Sequence, residues 1–404
     1  MKCRLLHILL LTFATLMASV SSLSAKEQYV DPVFGDTINR NADDFVMVSL
    51  LVADPGTAIY SVMGHACLRM QCPVFDMDYC YSYESEDVQN RLYDFFAGNL
   101  KMGLFVVPVD EYCQEYREEG RGVCEYKLNL PIAVKRNLWR VIDQHIAEGK
   151  LLRYDYLRRG CTTTCVQFLR EALGNMPIQY DASLYQQAPS ARELVKRATV
   201  NALWTRFVVC FIAGSEVDKP LHGEKQLIIP TDLVAAWQKT TVNGQKLLSE
   251  EATVLVEGKP QTNDTHFTPL VAMLLLLIVT IANLFWSKPY LDWLMLAMQT
   301  VIGCLMMYLI CISNLCCTSW NWLIVPFNIL PVICWCWRKW WALLYACVLL
   351  IWCGIMTGVA IWGNVLADWS HIVLVLSWTM VLLKQSPRMN NFLHTIAKYK
   401  LLTR

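Results

Sequence analysis

Beyond Thr268 the chain becomes a series of long apolar runs with almost no charge. An α-helix rises 1.5 Å per residue, so about 20 residues are needed to cross roughly 30 Å of hydrocarbon. Residues 268–286, 291–312, 321–337 and 341–367 meet that within tolerance, and residues 370–383 are a shorter candidate that could lie at the interface. The pattern predicts an all-α membrane domain of about five transmembrane helices. Overall hydrophobic content is 55% against 17% charged, too apolar for a wholly soluble protein, and the excess sits in these runs.

Loop charge orients the spans. Lys288, Arg338 and Lys339 occupy alternate loops, and Lys384, Arg388, Lys398, Lys400 and Arg404 fill the tail; the loops at 313–320 and 368–369 carry no Lys or Arg. The basic loops and tail are therefore expected in the cytoplasm, with everything before Thr268 outside. No Asp, Glu, Lys or Arg lies well within a span, which argues against an ion channel or proton-coupled transporter. Several of the 15 tryptophans, among them Trp286, Trp320 and Trp341, stand at span ends as an aromatic belt would.

The N-terminus reads the same way. Lys2 and Arg4 precede an apolar run at residues 5–16 and a small-residue stretch ending at Ala25, the pattern of a secretory signal. The expected organisation is a signal peptide at 1–25, an exported domain at 26–267 and a membrane domain with a basic tail at 268–404. Cys3 precedes the apolar run, so it is not a lipidation cysteine. A net charge of +1 without a basic, aromatic-interleaved patch gives no argument for nucleic acid, and no nucleic-acid partner is expected.

Within the exported part, "DFVMVSLLVA", "AIYSVMGHACLRM", "MDYCYSY", "LFVVPV" and "GVCEYKLNL" read as strands, with a helix expected between Asp87 and Leu100. Leu138, Val141, Ile142 and Ile146 follow Pro131 at helical spacing. Eight cysteines lie here, at 67, 72, 80, 113, 124, 161, 165 and 210. An oxidising compartment favours pairing, and Cys72 with Cys80 or Cys113 with Cys124 are near enough in sequence for disulfides. No spacing of zinc ligands is present, so no metal is expected.

The stretch "YDYLRRGCTTTCVQFLREALG", Tyr154 to Gly174, carries the chemistry. Val166, Phe168, Leu169 and Leu173 mark a helix that Thr162 can cap and Gly174 closes. Cys161 at its start feels the positive end of the helix dipole, which favours the thiolate. A thiolate nucleophile needs a base. His65, on an apolar strand beside Gly64, is the best base among the exported histidines 65, 145, 222 and 266.

A histidine on a strand followed by a cysteine at a helix start resembles the circularly permuted papain-like fold of the NlpC/P60 superfamily and its lecithin:retinol acyltransferase-like relatives. More narrowly, "DPGTAIYSVMGHACLRM", "YDYLRRGCTTTCVQFL" and "QLIIPTDLVAAW" resemble the N-terminal periplasmic domain of the Lnb-type (Bacteroides-type) lipoprotein N-acyltransferase. The fold class expected is thus an α+β papain-like exported domain followed by the helical membrane domain. Gly160 stands where the family has Asn, and Tyr81-Ser82-Tyr83-Glu84 stands where it has Tyr-Asn-Tyr-Gly.

The resemblance implies acyl transfer at the outer face of the inner membrane. Cys161 is the expected nucleophile and His65 the base, with Ser82 favoured over Asp78 and Tyr83 as the orienting third residue. Arg69, Tyr156 and Thr163 are the expected substrate-binding residues, Arg69 as a phosphate partner. The implied donor is a phospholipid and the implied acceptor a diacylated lipoprotein, with no cofactor. Residues 201–214, containing Trp204 and Phe207, and residues 227–233 are candidates for lipid contact. The alternatives are a membrane-tethered cysteine amidase acting on peptidoglycan peptides, and a non-enzymatic sensor or assembly factor in which Cys161 is disulfide-bonded to Cys165 or Cys210.

Overall fold

The computed structural model describes residues 28–30, 37–85, 91–149, 151–155, 158–259, 267–286, 288–331, 333, 339–363 and 366–385. The signal at 1–25, Tyr156, His266, Arg338 and the tail beyond residue 385 lie outside them.

A seven-stranded antiparallel sheet organises the exported part. Its strands are β1 (Met47–Ala53), β2 (His65–Cys72), β3 (Met77–Glu84), β4 (Lys101–Pro108), β5 (Val123–Lys127), β6 (Leu152–Arg153) and β7 (Thr253–Val256), in the order β7-β5-β1-β2-β3-β4-β6. The helices before Thr268 include α1 (Leu92–Ala97), α2 (Val109–Glu119), α3 (Ile132–Ala147), α4 (Cys161–Leu173), α5 (Ala191–Ala198), α6 (Leu203–Ile212) and α7 (Pro230–Gln238).

Successive strand side chains point to opposite faces, and both faces are covered. Val48, Leu50 and Val52 of β1 and Ala66, Leu68, Met70 and Cys72 of β2 pack with Leu138, Phe168, Leu169, Leu233 and Trp237 from α3, α4 and α7. Leu51, Ala53, Cys67 and Cys80 instead meet Tyr112, Cys113 and Tyr116 of α2.

These faces correct the disulfides suggested by sequence proximity. Cys72 belongs to the first core and Cys80 to the second, so the sheet separates them. Cys124 sits opposite Val52 in the β1–β5 ladder, on the face away from Cys113. The cysteines of the exported part are all free.

The C-terminal part contains α8 (Pro269–Asn283), α9 (Tyr290–Cys311), α10 (Lys339–Ile361) and α11 (Trp369–Lys384). Two of these, α9 and α10, are long and apolar enough to cross a membrane alone. Residues 321–337, expected to be a span, begin with a 3-10 turn at Trp322–Ile324, and part of that segment lies outside the described residues. The count of five is therefore not reproduced among the described residues. The short segment at 370–383 is not interfacial either. Helix α11 packs against both α8 and α10, with Val375, Trp378, Val381 and Leu382 buried, so its apolar surface is the middle of the bundle.

The bundle and the exported domain are docked at several points. Ser313 Oγ donates to Phe96 O at 2.5 Å and Asn314 N–H to Ala97 O at 2.9 Å. Gly214 N–H donates to Cys317 O at 2.6 Å, and Asn321 Nδ2 to Phe211 O at 2.7 Å. His371 of α11 meets Phe207 O at 3.1 Å, and Lys196 Nζ donates to Ala367 O at 3.1 Å. Two glycines allow this approach: a Cβ on Gly98 would stand 2.2 Å from Leu315 N, and one on Gly214 would stand 1.9 Å from Ser319 O. The loops at 313–320 and 366–368, free of Lys and Arg in the sequence, are thus the ones that touch the exported domain.

The two lipid-contact candidates differ. Residues 201–214 contain α6, whose Phe207 and Phe211 pack against the helical core while Trp204 and Val208 stay exposed. Leu227, Ile229 and Leu233 are buried in the exported domain.

Candidate active site

Gly160 is the N-cap of α4, extended at φ −124° and ψ −179°, and Cys161 is the first helical residue. Having no side chain, Gly160 cannot cap the helix. Thr163 reaches back instead and accepts from Gly160 N–H at 2.8 Å, while Thr164 Oγ1 donates to Gly160 O at 2.8 Å. Thr162, expected as the cap, donates to Ile228 O at 2.9 Å and ties the helix start to the "QLIIPTDL" segment. Thr163 is thus committed to its own helix start, in place of the substrate role expected for it.

His65 opens β2 directly after Gly64, which has φ +84° and would place a Cβ 2.7 Å from Ala53 O. Only glycine suits that entry. His65 Nε2 lies 2.7 Å from Ser82 Oγ on the neighbouring strand β3. Ser82 is fully buried. With Nε2 engaged there, Nδ1 is the ring nitrogen left for the thiol, and the imidazole hydrogen-bonds Cys161.

Burial by itself would raise the Cys161 thiol. The charge and hydrogen bond of His65, together with the N–H groups of Ala66 and Thr162, overcome this and lower its pKa to about 7. Burial would likewise discharge the imidazole, but the facing thiolate raises His65 to about 9. Each group thus favours the charged form of the other, which suits the thiol to act as a nucleophile. Both residues keep part of their surface open to solvent. Cys161, Cys165 and Cys210 are free, so the disulfides of the sensor reading are not formed.

The remaining expected site residues divide. Arg69 Nε and Nη2 hold Asp78 at 2.7 and 2.5 Å, and Nη1 holds Glu125 at 3.0 Å, with a side chain only 12% exposed. Its charge is met by two carboxylates, so it is a structural ion pair and not a phosphate partner. That network also removes Asp78 as the partner of His65. The Tyr83 hydroxyl is buried without a partner, which leaves Ser82 as the orienting group of the three. His145 faces Glu171 at 3.4 Å and stacks edge-on against Phe168, apart from the dyad. The N–H of Ala66, which the sulfur uses, could not be found from sequence, because every residue carries that donor.

Residues 37–197 match the family model of the Lnb N-terminal periplasmic domain, and no curated protein and no solved structure matches the chain. His65, Ser82 and Cys161 all lie within the matched span, and the bundle docked onto it includes two helices fit to cross a membrane. Over residues 37–197 the chain is therefore similar to the Lnb N-terminal periplasmic domain, and the candidate site lies wholly inside that similarity.

Proposed function

We propose that the chain is a membrane-bound lipoprotein N-acyltransferase working through a Cys161 thioester. What supports this reading is the placement of Cys161 at the start of α4 and of His65, held by Ser82 at 2.7 Å, inside a domain similar to the Lnb periplasmic domain and docked on a helical bundle. Sulfur attacks an ester carbonyl of a phospholipid: the C–S bond forms, the ester C–O bond breaks, and the departing glycerol oxygen takes the proton of His65. The α-amine of a diacylglyceryl-cysteine then attacks the thioester. A C–N bond forms, the C–S bond breaks, and His65 accepts the amine proton. The products are a lysophospholipid and a triacylated lipoprotein. Backbone N–H groups of the first α4 turn have no intrahelical acceptor, which suits them to the oxyanion. Ser82 fixes the ring of His65.

The same reading takes the exported domain as a circularly permuted papain-like fold, supported by a histidine strand that precedes the cysteine helix in the chain. It takes the domain limits as 1–25, 26–267 and 268–404, and the protein as multi-pass in the inner membrane with a cytoplasmic C-terminus. The contacts of the 313–320 and 366–368 loops with the exported domain support that orientation. A peptidoglycan amidase would use the same dyad, but it has no need of a bundle docked on the catalytic domain.

The test is expression in cells lacking lipoprotein N-acylation, with the N-terminus of a model lipoprotein read by mass spectrometry. The native chain should add a third acyl chain, and Cys161→Ser or His65→Ala should add none. An unmodified N-terminus with the native chain refutes the proposal.

A further inference from the structure

With Arg69 committed to Asp78 and Glu125, the donor phosphate has to be met elsewhere. Lys101 and Arg153 are direct cross-strand partners in the β4–β6 ladder, and both are exposed. Like charges facing each other across strands are destabilising. Neither has a carboxylate partner among the described residues. From Arg153 the chain turns sharply: Arg159 N–H donates to Asp155 O at 2.7 Å, and Arg159 Nη1 reaches back to Arg153 O at 3.5 Å. Arg158 beside it is exposed, and its nearest carboxylates, Asp155 and Glu216, stand at 3.8 and 3.7 Å, long for charge-assisted bonds. Four cations therefore cluster on the β4–β6 edge and on the turn that closes at Arg159, two residues before Cys161.

The position of this rim points to its occupant. Tyr154 N–H donates to Leu100 O at 2.7 Å, and Asn99, next to Leu100, accepts from Asn314 Nδ2 at 3.2 Å. The rim thus adjoins the 313–320 loop, which follows α9 of the bundle. Leu151, 60% exposed, adds an apolar surface beside the cations.

We propose that Lys101, Arg153 and Arg159, with Arg158 at the edge, hold the headgroup phosphate of the phospholipid donor and so present its ester to Cys161. This rests on the acyl-transfer reading for its purpose, but it is tested by binding alone. Full-length Cys161→Ser protein in detergent is titrated with phosphatidylethanolamine or with diacylglycerol of the same acyl chains, and bound lipid is read by native mass spectrometry. Adding Lys101→Gln and Arg153→Gln should weaken phosphatidylethanolamine binding about a hundredfold, the loss of two charge-assisted contacts at about tenfold each. Diacylglycerol binding should stay unchanged. Lys225→Gln with Lys239→Gln, which removes two exposed cations outside the rim, should retain phospholipid binding.

Unchanged phospholipid affinity in the rim variant overturns the proposal, as does an equal loss for both lipids or for both charge pairs. Inorganic phosphate displacing bound lipid no better than chloride supports a lipid headgroup as occupant. Inorganic phosphate binding as tightly as the phospholipid makes free phosphate the occupant and overturns the assignment. Phosphate-dependent lipid binding in a chain that never acylates would contradict the acyl-transfer reading and leave the rim standing.

Discussion

Replacing His65 by Ala isolates what the imidazole does for the sulfur. In the native protein, burial raises the Cys161 thiol while His65, with help from two backbone N–H groups, lowers it to about 7. Without the imidazole, burial remains and the thiol returns to its ordinary value of 9.0 or above. Each pKa unit is a factor of ten in thiolate where the group is mostly protonated. At pH 7 the thiolate fraction should therefore fall by about 50-fold or more. The assay is the rate of iodoacetamide alkylation at Cys161 against pH in the full chain, followed by peptide mass spectrometry. In the native chain the rate should climb with pH through a midpoint near 7, as the thiol loses its proton. Above about 9 the imidazolium also deprotonates. Acyl transfer needs that proton for the leaving oxygen, so its rate should be bell-shaped with limbs near 7 and 9 while alkylation stays high. A native alkylation midpoint near 9, or one unmoved in His65→Ala, refutes the coupling.

Other substitutions separate site residues from scaffold. Ser82→Ala frees the His65 ring and should lower the acyl-transfer rate about a hundredfold, while circular dichroism stays native. Arg69→Leu leaves Asp78 and Glu125 facing each other without a cation; it should cost about 3–5 kcal/mol of stability, read by denaturant unfolding, rather than a selective rise in KM for the donor. Gly214→Val drives a Cβ to 1.9 Å from Ser319 O and should accelerate proteolytic separation of the exported domain from the bundle. An unchanged cleavage rate would mean that contact does not hold the two parts together.

The proposed pair stands out in the sequence through two local signals, which the family resemblance strengthens. Cys161 lies at the start of an amphipathic helix, and His65 follows a glycine that only a positive φ explains. The sheet was legible from alternation, but which face each cysteine took was not. Cys72 and Cys80 lie on opposite faces because of their parity in paired strands, a relation that needs the register. Arg69 and Thr163 were misread for the same reason: an arginine's partners come from strands distant in sequence, and a threonine near a helix start can serve the backbone or a ligand. In the bundle, hydropathy locates apolar helices but not their depth, and α11, the shortest apolar run in the sequence, is the central one. Gly98 and Gly214 gave no signal at all, since the surface they accommodate belongs to a loop far along the chain.

The most direct test is a search for the acylated sulfur. Full-length protein in phospholipid vesicles, with no lipoprotein present, is quenched in acid, digested and mapped by mass spectrometry. One acyl chain should appear on the peptide containing Cys161, released by hydroxylamine and absent in Cys161→Ser. A Cys161 peptide that is never acylated, or is found disulfide-linked in active protein, contradicts it.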